Sequence, residues 1–196
     1  MAGTRKAKMA ETRANLLKAG RKAFGTIGYA EASMDDFTAG AGLTRGALYH
    51  HFGDKKGLLR AVIEEIDTEM AERLNEISQH APTRWQSLVN EWTAYIEMAL
   101  EPEIQRIMFR DAPAVLGDIS QWPSTSNCVM ALKETLDDLK ADGLLIDIDT
   151  EAAARLINGA TSHAATWIAG SDDPQETSRR AVASFRQLLE RLATGK

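Results

Sequence analysis

Apolar residues recur along most of this chain at intervals of three and four, the period of a helix with one face turned inward. Leu16, Leu17, Gly20, Ala23, Phe24 and Ile27 trace the first such face, and Gly28 is suited to close that helix. The pair Ser33 and Asp36 has the spacing of a capping box, so a second helix is expected there, with Met34, Phe37, Thr38 and Ala41 on one side. Gly40 and Gly42 then permit a sharp turn at Gly42 and Leu43. Thr44 is a natural N-cap for a third helix, anchored inward by Leu48 and Phe52. A long helix from about Asp54 to Gln79 follows, marked by Leu59, Val62, Ile63, Ile66, Met70, Leu74 and Ile77 and ended before Pro82. Trp85, Leu88, Val89, Trp92, Tyr95, Ile96 and Ala99 mark another, stopped near Pro102, and Ile104, Ile107 and Met108 a shorter one before Pro113. Residues 117–126 are the least helical stretch, after which Cys128, Leu132, Leu136 and Leu139 resume the period. Leu144–Ile148 is a short apolar run, but no segment reads convincingly as a strand, and the pattern predicts an all-α fold.

Two further stripes end the chain. Leu156, Ile157, Ala160, Ala164, Trp167 and Ile168 form one, with Gly159 allowing close helix approach; Val182, Phe185, Leu188, Leu189 and Leu192 form the other. They either complete an internal core or supply two helices to a four-helix interface between two copies. The candidates for such an interface are Leu156, Ala160, Ala164, Val182, Phe185, Leu189 and Leu192.

Candidate chemistry enters with the residues that Leu48 and Phe52 turn outward. Thr44, Arg45, Gly46, Ala47, Tyr49 and His50 make a surface suited to a DNA groove. Arg45 can read guanine or hold a phosphate, Gly46 and Ala47 admit a close backbone approach or a thymine methyl, and Tyr49 and His50 can donate to phosphate. His51 lies between the two inward residues and has a packing or capping role. Asp54 is a good N-cap, and Lys55 and Lys56 bring ammonium groups to the start of the next helix. Taken singly these residues have ordinary explanations; their order, spacing and basic flank together point to DNA. Charge agrees. The chain carries a net charge of -5, yet residues 1–60 hold 11 Lys and Arg against 5 Asp and Glu, and the remainder 12 against 23. A basic end, including Arg5, Lys6 and Lys8 on an expected mobile arm, is steered to phosphate, while the acidic remainder discourages indiscriminate binding.

The run LTRGALYHHFGDKKGLL, within Ser33–Leu59, resembles the DNA-binding domain of the TetR family of bacterial transcriptional regulators. Phe37 and Gly40 stand where that family more often has an aliphatic residue and a helix former. The resemblance implies an N-terminal three-helix helix-turn-helix domain over residues 1–53 whose DNA contacts include Ser33 and Lys55, a linker helix over about 54–79, and a larger helical regulatory and dimerisation domain over 80–196. It also implies a homodimeric repressor on a palindromic operator. Arg106–Gly117, RIMFRDAPAVLG, resembles a stretch of the inducer-binding domain in one branch of the family. On that basis Trp92, Tyr95, Ile96, Met108, Phe109, Trp122, Met130, His163 and Trp167 are candidates to line a pocket for an apolar or aromatic effector, since no charged residue sits convincingly on those faces. The alternative for the aromatic stripe is ordinary filled core.

Other classes find little support. One cysteine, Cys128, excludes an intramolecular disulfide framework and reads as a small buried residue. No apolar run is long enough for a signal peptide or a membrane span, so a cytoplasmic protein is expected. There is no nucleophile elbow, phosphate loop or metal-ligand spacing, no cofactor is called for, and the paired carboxylates Asp137 and Asp138, or Asp147 and Asp149, read as solvated turn residues rather than catalysts. The remaining rival is a helical protein-interaction module, without ligand control, whose basic end meets an acidic partner.

Overall fold

The computed structural model describes Ala2–Gly40, Gly42, Thr44–Gly117 and Trp122–Thr194. Ala41, Leu43 and the side chain of Asp36, named above for the turn and the capping box, lie outside the described residues. The elements are α1 (Ala2–Ile27), α2 (Met34–Gly40), α3 (Arg45–Phe52), α4 (Lys55–Gln79), α5 (Arg84–Met98), α6 (Pro102–Ile104), a π-helical turn at Gln105–Asp111, α7 (Ala112–Leu116), α8 (Pro123–Ala141), α9 (Thr150–Gly170) and α10 (Pro174–Glu190). The fold is all-α; Leu144–Ile148 contributes only an isolated bridge, Leu145 to Ala193.

The chain forms two compact units, one of residues up to Asp67 together with Pro102–Gly117, the other of Thr68–Glu101 with the residues after Gly117. In the first, Leu16, Leu17 and Phe24 of α1 are buried with Phe37, Leu48, Leu58, Leu59 and Val62. Phe37, the aromatic departure from the family pattern, meets Phe24 edge-on at 5.4 Å between ring centroids, a favoured aromatic geometry. A Cβ on Gly20 would fall 2.6 Å from a Leu58 methyl, so the buried Leu58 side chain of α4 fills the space over Gly20 and would have to shift for a larger residue. Gly28 ends α1 with φ +89°, its N–H donating to the Phe24 carbonyl at 3.1 Å. Ile27, expected on the inner face, is exposed, as is Ile77 at the far end of α4. The arm differs as well: Arg5, Lys6 and Lys8 lie on exposed first turns of α1 rather than ahead of it.

Pro102–Gly117 is tied to α1 and to the turn that follows it by polar contacts. Arg21 donates to Glu103 at 3.0 and 2.9 Å and to Glu65 of α4 at 3.1 Å, Arg106 donates to the Thr26 carbonyl, and the Tyr29 N–H donates to Asp111 Oδ2 at 2.7 Å. The segment does not stop before Pro113: it continues to Leu116 and ends at Gly117, φ +86°. The π-helical turn just upstream widens the backbone, so the proline ring is accommodated where a regular α-turn would press it against a carbonyl.

The second unit packs α5, α8, α9 and α10 together. Leu88, Val89, Trp92 and Ile96 of α5, Leu132, Leu136 and Leu139 of α8, Ile157, Ala165 and Ile168 of α9, and Phe185 and Leu189 of α10 make its core. Arg186 of α10 donates to Thr93 Oγ1 of α5 at 3.1 Å. α8 begins within the stretch expected to be irregular, because Pro123 at a first-turn position has the preset φ a helix start needs. Cys128 is exposed rather than buried: the inward period on α8 falls on Val129, Leu132, Leu136 and Leu139 and leaves position 128 outside.

Candidate nucleic-acid interface

Thr44 starts α3 from extended backbone (φ −104°, ψ 153°), and its hydroxyl oxygen accepts the Ala47 N–H at 3.3 Å. Leu48 is fully buried and fixes the roll of the helix, so Arg45, Gly46, Tyr49 and His50 are exposed, Tyr49 to 54%, while Ala47 is half-buried. Phe52 is half-buried beneath the Arg13 guanidinium, 5.2 Å from its ring centroid. His51 packs among His50 and Phe52, and burial, then the His50 and Arg13 charges, hold its pKa below the ordinary histidine value.

A glycine at position 46 is not demanded by the chain itself, because a Cβ there would meet only Thr44 Oγ1, at 3.8 Å. Gly57 differs: its Cβ would fall 1.8 Å from the Phe52 carbonyl oxygen, so only glycine lets α4 start this close to the end of α3. Asp54 caps α4 as expected, its Oδ1 accepting the Gly57 N–H at 2.6 Å. Ser33 caps α2 by accepting the Asp35 N–H at 3.1 Å.

Two cations of the surface have partners that periodicity did not reveal. Arg45 pairs through Nε and Nη2 with both carboxylate oxygens of Asp35 in α2, a contact that holds Asp35 below the usual carboxylate range. Lys55 sits 4.4 Å above the Tyr29 ring and donates to the Ala30 carbonyl at 3.3 Å. In sequence the only hint of the first pair was an acidic residue ten positions before Arg45, across a turn; the second needs the fold.

The pocket candidates lie on several elements. Trp92, Tyr95 and Ile96 share α5, with the Trp92 and Tyr95 rings 6.3 Å apart, and Met108 and Phe109 are buried in the π-helical turn of the other unit. Trp122 is half-buried at the cap of α8. Met130, His163 and Trp167 are all exposed. Met130 follows the inward Val129, and His163 and Trp167 lie on the face of α9 opposite Ile157, Ala165 and Ile168. Of the interface candidates, Leu156 (72% exposed) and Ala160 are at the surface, and Ala164, Val182 and Leu192 are half-buried. Phe185 and Leu189 are buried within the chain, on the side of α10 that packs on α5 and α9. Leu188, one residue away and 65% exposed, takes the outward place.

Of the paired carboxylates, Asp137, Asp138 and Asp147 form ion pairs, and Asp149 caps α9 by accepting the Ala152 N–H. Asp137 accepts from Lys133 and from Thr150 Oγ1, each at 2.6 Å, and Asp147 pairs with Lys140 at 2.8 Å, which lowers both carboxyl pKa values. Groups held ionised in this way are unsuited to act as general acids.

The sequence profile described as "Bacterial regulatory proteins, tetR family" matches residues 16–62, and that described as "Tetracyclin repressor-like, C-terminal domain" matches residues 85–192. A TetR-family transcriptional regulator from Pectobacterium atrosepticum has a crystal structure similar to this one, with a TM-score of 0.88 and 51% identity over 96% of this chain and 97% of that one. The HTH-type transcriptional repressor AcnR of Corynebacterium efficiens is 36% identical over 69 residues, 35% of this chain. The HTH-type transcriptional regulator TtgR of Pseudomonas putida is 39% identical over 56 residues, 29% of this chain. The matched stretches span 37% and 27% of those two relatives' lengths.

Proposed function

This chain belongs to the TetR family of bacterial transcriptional regulators, and from that premise we propose that it works as a homodimeric repressor on a palindromic operator, released by a small apolar or aromatic molecule. It is a DNA-binding regulator, not an enzyme. The observation that carries the operator reading is the outward face of α3, where Arg45, Gly46, Tyr49 and His50 stand free of the core on a helix rolled into place by Leu48. Ser33 and Thr44 frame that face at the caps of α2 and α3, Ala47 offers a methyl group, and Lys55 supplies a cation beside it. Base edges fall to Arg45, Gly46 and Ala47, and phosphates to Ser33, Thr44, Tyr49, His50 and Lys55.

Dimerisation is supported by the exposed stripe Leu156, Ala160, His163 and Trp167 on α9, with Leu188 on α10. A soluble monomer rarely leaves such a row uncovered, and Gly159 on the same face allows a second copy to approach closely. A two-fold axis would place the two α3 helices about 34 Å apart, one turn of DNA, which requires an inverted repeat. For the effector, the aromatic pair Trp92 and Tyr95 on α5, with Ile96, is the best-supported part of a binding surface. A ligand there would act through α4, which runs unbroken from Lys55 beside the recognition helix to Gln79 in the second unit. Cytoplasmic residence fits this role; no helix among the described residues is long and apolar enough to cross a membrane.

The test is selection of sites from random or genomic DNA with the purified protein, followed by anisotropy across a salt series. An inverted repeat bound with a slope near −0.9 per phosphate contact is expected. A folded dimer that enriches no sequence, yet captures an acidic protein partner, would replace this reading with the interaction module.

A further inference from the structure

We propose that Asp35 is a specificity-determining positioning residue that makes Arg45 a guanine reader rather than a phosphate anchor. The inference rests on the DNA-reading role of α3 and deepens it.

Arg45 is the first residue of α3, and its backbone is fixed by the Thr44 cap. Asp35 is equally fixed in the first turn of α2 by the Ser33 hydroxyl. The carboxylate takes the side edge of the guanidinium, Nε–H and one Nη2–H. An arginine has five N–H donors in a rigid fork, so this pairing leaves the end edge, Nη1 and the second Nη2–H, as two parallel donors. That edge is the one that matches the O6 and N7 acceptors of guanine. Both partners are more than half exposed, and an exposed ion pair of this kind adds little to stability, so the fold has small need of it. Its effects lie at the surface. The carboxylate holds a flexible side chain in one orientation, and its charge beside the guanidinium disfavours a nearby phosphate. An arginine without such a partner swings readily to the DNA backbone and discriminates little.

The experiment uses the full chain as wild type, Asp35→Ala and Arg45→Ala, each checked for an unchanged thermal midpoint. Each protein selects sites from random duplex DNA, and anisotropy then compares the selected site, the same site with its guanine replaced by adenine, and random-sequence DNA. Wild type is expected to lose on the order of tenfold affinity on that replacement. Arg45→Ala should lose the preference, and Asp35→Ala should lose most of it while binding random DNA at least as tightly as wild type. A guanine preference undiminished in Asp35→Ala, or surviving in Arg45→Ala, overturns the proposal. So does an equal loss on cognate and random DNA, the mark of a damaged α2. If wild type itself enriches no sequence, the operator reading fails and the role of Asp35 falls with it; an enriched operator unaffected by Asp35→Ala removes only the latter.

Discussion

Replacing Leu156 by alanine separates a dimer surface from a core. The substitution removes three carbons, worth about 0.8 kcal/mol each when taken out of water. The side chain is 72% exposed in the single chain, so about 1.7 kcal/mol of that burial remains for a partner to supply. An isologous interface repeats every contact, which doubles the loss to about 3.5 kcal/mol per dimer, or roughly 300-fold in the dimer dissociation constant. The folded subunit should be nearly unaffected, because little of Leu156 is buried within it. Phe185→Ala is the opposite control: that ring is buried, and its removal should cost about 3–5 kcal/mol of subunit stability. Sedimentation equilibrium over a concentration series gives the first quantity and urea unfolding of the monomeric form the second. An unchanged dimer constant in Leu156→Ala, with Leu188→Ala equally silent, would refute the placement of the interface on the outer face of α9 and α10.

Gly46→Ala should stabilise α3 by about 0.5–1 kcal/mol, since a Cβ there meets nothing closer than 3.8 Å, while weakening operator binding where the backbone must come close; opposite signs in melting and anisotropy are the expected signature. Gly57→Ala should prevent native docking of α4 on α3, with a Cβ placed 1.8 Å from a carbonyl oxygen, and a melting curve like that of wild type would contradict it. Arg21→Ala releases both Glu65 and Glu103, and amide exchange should then rise over Pro102–Gly117 while α9 keeps its protection. Burial raises the Glu91 carboxyl pKa above its ordinary 4.5, against a lowering hydrogen bond from Ser78. A carboxyl whose folded pKa is raised adds stability below its unfolded pKa and loses it as pH climbs through the folded value. Glu91→Gln should therefore gain stability over wild type at pH 7 and lose that advantage near pH 4, as read by melting at the two pH values.

The helix-turn-helix was legible because its information is local: a cap at Thr44, an anchor at Leu48 and an N-cap at Asp54 each act within four residues. The π-helical passage through Pro113 was not, because a proline predicts a stop unless the widened turn before it is known. Phe185 and Leu188 show the limit of periodicity most directly. Both belong to an apolar row on α10, and only contact with α5 and α9 decides which faces inward. Partnerships such as Arg45 with Asp35, or Lys55 with Tyr29, join residues that no helical repeat links.

The membership of Pro102–Gly117 in the first unit bears on how such regulators can be recombined. A fusion point chosen at the end of α4 would leave Arg21, Thr26 and Tyr29 without Glu103, Arg106 and Asp111, so the transplanted head would carry exposed apolar surface where Ile104 and Ile107 had been. A working chimera has to exchange two separate stretches of chain, or rebuild this patch on the new sensor. The portable module is defined by what touches α1, and its outline in space is not an interval in the gene.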